Sequence, residues 1–135
     1  MDFECRTLVE SDYDDILVGW WKDWRWSAPP RDFLPEDGKG GIMISKDGTD
    51  ICAGFIFFTN SKTAWCEFVV SNFHYREDDR NEALLFLIET LSQICKKSGY
   101  TIAYTSLRSE SLIDKYVECG YKVGSKNCTE LIKNL

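Results

Sequence analysis

The chain has 135 residues, 44% of them hydrophobic and 28% charged, enough to build one domain spanning 1–135 around a real core. A formal net charge of −6 argues against a nucleic-acid-binding surface and fits a cationic partner better. Six cysteines with no C-x-x-C pair, and a single histidine, leave no spacing for a metal site of the zinc kind.

The opening Met1-Asp2-Phe3-Glu4 lacks the basic start and apolar run of a signal peptide. No apolar run reaches the ~20 residues that cross a bilayer, so a membrane partner is not expected. Reduced thiols in a cytoplasm are the simplest expectation.

Residues 3–9 predict a first strand. Glu10-Ser11-Asp12 offers N-cap candidates for a helix from about Tyr13 to Trp24, with Ile16, Leu17 and Trp20 on its apolar face. Four tryptophans (Trp20, Trp21, Trp24 and Trp26) follow within seven residues, and Pro29-Pro30 then stiffens a loop. This stretch reads either as an aromatic wall for an acceptor, even a cationic one, or as a flap covering the sheet. Strands are expected at 42–45, 51–58 and 63–70, joined by short turns into an antiparallel meander; Asp47-Gly48 marks the first turn.

The segment 65–99 organises the rest. The strand ends on Trp65-Cys66-Glu67-Phe68-Val69-Val70, and the turn Ser71–Asp79 follows. A long helix then places Leu84, Leu87, Ile88, Leu91, Ile94 and Cys95 on one face. Lys96 and Lys97 in its last turn and Gly99 beyond it suit the dipole and a left-handed cap. A strand that runs into a helix N-terminus makes an anion site. Thr101–Thr105 predicts another strand, giving a right-handed parallel crossover. A short helix from Ser109 to Cys119 follows, then a strand starting at 120–123 and a last one at 128–132.

Two stretches resemble the GNAT superfamily of N-acetyltransferases. The run Glu67–Ser71, through Tyr75-Arg76 to Ala83-Leu84-Leu85, is similar to the family's acetyl-CoA motif. Counting from Arg76, Asp79 and Asn81 stand at the two positions where the family has small residues, and Glu77 and Asp78 add negative charge. The run Ser109–Tyr121 is similar to the family's Asn-x-x-Ala-x-x-x-Tyr-x-x-x-Gly-Phe: Tyr116 and Gly120 match, Tyr121 replaces the Phe and Ser109 the Asn. Short forms with a Val-Ser-Asn turn and no glycine loop are similar to GNAT-related proteins of tailed phages.

The resemblance implies an α/β fold of order βα-βββ-αβ-αββ: a mostly antiparallel mixed sheet with a parallel central pair and helices on both faces. It implies that strands 63–70 and 101–105 splay at their C-terminal ends. Acetyl-CoA is the implied cofactor, held by backbone at Val69, Val70 and Ser71, by Arg76, Arg80 and Asn81, and by Ser109. The implied partner is an amine acceptor, small molecule or peptide; a homodimer is left open.

Acetyl transfer to an amine needs a base for the amine and an acid for the leaving thiolate. Glu67 lies where several family members carry the base; its bland reading is an acid hydrogen-bonded within the sheet. Tyr116 holds the family's general-acid position, or else is a core tyrosine beside Leu112 and Ile113. His74 is expected to be an exposed loop residue. Asp79-Arg80-Asn81-Glu82 has a D-x-x-E form close to a capping box, in which Asp79 would take the helix N–H groups that a phosphate needs. Two functions follow: an N-acetyltransferase, or an inactive GNAT-fold binding module that no longer takes CoA.

Overall fold

A computed structural model describes residues 2–135. Five strands form one sheet in sequence order: β1 (Glu4–Thr7), β2 (Gly41–Lys46), β3 (Thr49–Phe58), β4 (Thr63–Ser71) and β5 (Ile102–Tyr104). The first four pair antiparallel, and β4 and β5 pair parallel. The architecture is the mixed α/β sheet expected, with the β2–β3 hairpin turning at Asp47-Gly48.

Between β1 and β2 the chain makes a wide π turn, Tyr13–Leu17, that runs directly into α1 (Val18–Asp23). Asp12 does not cap this helix. Its buried carboxylate reaches back to Arg6 at 2.8 and 3.0 Å and accepts the Val9 N–H at 2.7 Å, tying β1 to the helix entry. Arg6 accordingly holds the Asp12 carboxyl below the usual carboxylate range. Leu17, Trp20 and Trp21 bury one face of the sheet with Met43, Ala53, Phe55 and Val70.

The long helix α2 (Arg80–Lys97) covers the other face, where Leu84, Leu87, Ile88, Leu91 and Cys95 meet Ile44, Cys52, Ile56 and Cys66. Gly54 lets it sit that close. A Cβ there would lie 2.9 Å from Leu91 Cδ1 and 3.2 Å from Val69 Cγ2. Helix α3 (Glu110–Glu118) packs beside α2 through Tyr116.

Neither closing strand forms. Residues 122–135 are exposed and carry no regular structure, with Leu131 and Ile132 in solvent. Strand propensity needs a partner edge to become a strand, and β5 offers only three residues.

Candidate active site

The site grows from an irregularity in β4. Val70 pairs with Ala53 and Glu67 with Phe55, so the register slips by one residue between them. Phe68 sits in that gap with φ +57°. An aromatic residue pays for left-handed backbone, and such strain gathers at functional sites. The bulge places Glu67 and Phe68 toward the same side of the sheet and bends the strand.

Beyond it the sheet opens. The β4–β5 ladder runs only from Thr63↔Ile102 to Trp65↔Tyr104, while β4 continues to Ser71. The splay is thus present. The groups at its mouth are Glu67, Tyr116, Thr105 and Ser106.

Glu67 is half-buried and accepts the Ser106 N–H at 2.9 Å. Burial pushes its pKa up to about 7; the Glu130 carboxylate pushes the same way, while the Ser106 and Thr105 contacts oppose. Tyr116 is buried, and its hydroxyl donates to the Cys66 carbonyl at 3.3 Å, one residue from Glu67. Desolvation raises the Tyr116 pKa well above the ordinary range, so the hydroxyl keeps its proton at any physiological pH. Thr105 Oγ1 lies buried beside both groups and completes no hydrogen bond of good geometry, although it lowers the pKa of each. A base near neutrality, a buried phenol that keeps its proton and a buried unsatisfied hydroxyl lie around the end of the β4–β5 ladder.

The turn after β4 carries the cations. Arg76 lies 4.4 Å over the Phe73 ring and Arg80 lies 5.5 Å from the Trp24 ring. Arg80 Nη1 is buried with no hydrogen-bond partner, and burial together with Arg76 lowers its pKa. A buried guanidinium nitrogen left open beside a helix N-terminus suits an anion.

Asp79 is not the cap that its D-x-x-E spacing predicts. It stands at the N-cap of α2 without a side-chain bond to the helix. Its carboxylate instead takes Lys46 Nζ at 2.6 Å and the Tyr75 hydroxyl at 2.7 Å. Lys46 holds the Asp79 carboxyl below its usual range. That leaves the first turn of α2 uncapped by any side chain. Glu77, Asp78 and Asp79 line a cavity of about 380 Å³ together with Lys46, Asp47, Thr49 and Tyr75.

The remaining expected residues scatter. Val69 and Val70 bury their side chains in the two opposite cores. The Ser71 carbonyl is taken by Trp24 Nε1 at 2.8 Å. Ser109 caps α3 by accepting the Leu112 N–H at 3.4 Å. Asn81 is exposed in the first turn of α2. His74 is exposed, 3.4 Å from Asp23. The tryptophans divide: Trp20 and Trp21 are core, while Trp24 and Trp26 stack at 5.8 Å, with Phe73 edge-on to Trp24. Phe68, Thr105 and Ser106 were outside the predicted set. A bulge at a non-glycine residue leaves no mark on an alternating strand.

No family model matches the sequence, and no curated protein matches it. Solved structures do match. The glucosamine-6-phosphate N-acetyltransferase of Arabidopsis thaliana superposes with a TM-score of 0.65 at 16% identity, covering 98% of this chain and 100% of that one. The fold is that of the GNAT acetyltransferases. The ribosomal-protein-S18-alanine N-acetyltransferase of Escherichia coli matches at TM-score 0.68 and 14% identity, over 91% of this chain and 79% of its own. N-acetylglutamate synthase of Neisseria gonorrhoeae matches at 0.72 and 11%; 93% of this chain spans only 29% of that enzyme. In this chain the β4 bulge and the β4–α2 turn lie within residues 67–80.

Proposed function

We propose that the chain is an N-acetyltransferase that takes acetyl from acetyl-CoA to an amine. The observation that carries this is Glu67, a carboxylate with a pKa of about 7 at the open end of the β4–β5 splay. Its role is to take the proton from the ammonium of the acceptor. A base is most effective when its pKa lies near the working pH.

The residues present fit the cofactor. The unpartnered Arg80 Nη1, Arg76 and the uncapped first turn of α2, Asn81 included, would hold the pyrophosphate. The backbone of Val69 and Val70 on the open edge of β4 would hold the pantetheine arm. Ser71 and Ser109 contribute less, since the Ser71 carbonyl and the Ser109 hydroxyl are already engaged. When bound, acetyl-CoA supplies the activated thioester. Tyr116 holds a proton at its Oη beside the cleft, and the leaving thiolate requires one.

The second reading, a GNAT-fold binding module without CoA, is favoured by Glu77 and Asp78 within the β4–α2 turn. The two separate in a thermal-shift assay. A ligand of the native state at 100 times its Kd stabilises by about 2.7 kcal/mol, so the acetyltransferase reading expects acetyl-CoA to raise Tm by several degrees. An unchanged Tm at millimolar acetyl-CoA supports the binding module instead.

A further inference from the structure

One strip of the sheet is left bare beside Glu67. On the α1 side, helix packing reaches as far as Phe55, where Trp21 stacks at 6.4 Å. Phe55 is the cross-strand partner of Glu67. Past that line, among the described residues, neither α1 nor α2 buries the face, and the short 3-10 turn Arg31–Phe33 touches its edge through Phe33. Phe57 pairs with Trp65, and Trp65 with Tyr104, their rings 4.2 Å apart. Phe68 stands edge-on to Phe33 at 5.8 Å and meets Phe57 at 6.1 Å. The strip is open: Phe33 is 47% exposed, Trp65 37% and Tyr104 47%.

Five rings thus form a continuous floor around one carboxylate, and the field of a second, Glu130, reaches that carboxylate. Ring faces and carboxylates attract the same thing, a cation with apolar bulk. A phosphorylated sugar would find apolar area there and strand its hydroxyls. We propose that this strip is the acceptor site, and that it takes a primary ammonium carried on an aromatic or bulky apolar body. The inference rests on the acetyl-transfer reading for the fate of the amine, but not for its binding.

Calorimetric titration without acetyl-CoA tests it, with phenethylamine and ethanolamine as probes. Phenethylamine should bind at least about tenfold more tightly than ethanolamine. Trp65→Ala and Tyr104→Ala should each weaken phenethylamine by about fivefold and leave ethanolamine unchanged. Both side chains lie at the surface, so both variants should fold. Equal affinities for the two amines, or phenethylamine binding untouched by either variant, would overturn the proposal. So would a dimer in sedimentation that Trp65→Ala converts to monomer, since the strip would then belong to a second copy. Because the titration omits acetyl-CoA, a chain that binds phenethylamine but not acetyl-CoA fails the acetyltransferase reading alone.

Discussion

Tyr116 and Glu67 are one residue apart in effect, through the Cys66 carbonyl, and burial drives their pKa values upward together. For the carboxylate this creates a base at neutral pH; for the phenol it secures a proton. The Tyr116 hydroxyl has a second use, because the Cys66 carbonyl depends on it. Tyr116→Phe should therefore cost about 1–2 kcal/mol of stability, the cost of a buried hydrogen bond whose acceptor loses its donor. It should also lower kcat while leaving acetyl-CoA affinity nearly unchanged, since the group acts on the leaving thiolate. Chemical denaturation and steady-state kinetics read the two effects separately. A variant with parental kcat and only the stability loss would return Tyr116 to the core.

At the scale of elements, the β2–β3 hairpin and α2 are pinned together by Asp79, Lys46 and Tyr75. The ion pair has consequences for the turn. It removes Asp79 from the helix start and consumes the Lys46 charge at the same time. Asp79→Asn should free Lys46 and delete one negative charge beside Arg76 and Arg80. Acetyl-CoA should then bind more tightly, about threefold at 0.15 M salt and more at low ionic strength, where screening is weaker. Titration at two salt concentrations measures this. Weaker binding in the variant would mean that Asp79 helps to hold the cofactor. The bulge at Phe68 is the other element-level device, because it ends the regular pairing of β4 and gives Glu67 its direction.

Across the whole molecule, local patterns proved readable and long-range ones did not. The 3.6-residue period of Leu84, Leu87, Ile88 and Leu91 marks α2, and Asp47-Gly48 marks the hairpin, because each signal lies within a few residues. Glu67 was legible as an acid inside an apolar strand. Phe68 was not, since its left-handed backbone is imposed by the register of β3. Asp79 was misread for a related reason: its partner Lys46 lies 33 residues away, and a tertiary ion pair outweighs a local cap. The closing strands failed because Gly120–Val123 and Cys128–Ile132 have strand composition but no edge long enough to pair with.

The central claim is that Glu67 is the base of an amine acetylation. Its most direct test is the pH profile of kcat/KM for the amine, measured at subsaturating amine and saturating acetyl-CoA, for the parent and for Glu67→Gln. In the folded chain Glu67 loses its proton near pH 7, so the ionised, active form grows as pH rises through that value. The parent should therefore gain activity up to a plateau above about pH 7.5, and Glu67→Gln should lose on the order of 10²–10⁴-fold together with the inflection near 7. A variant that keeps the parental rate, or keeps the same inflection, would contradict the account.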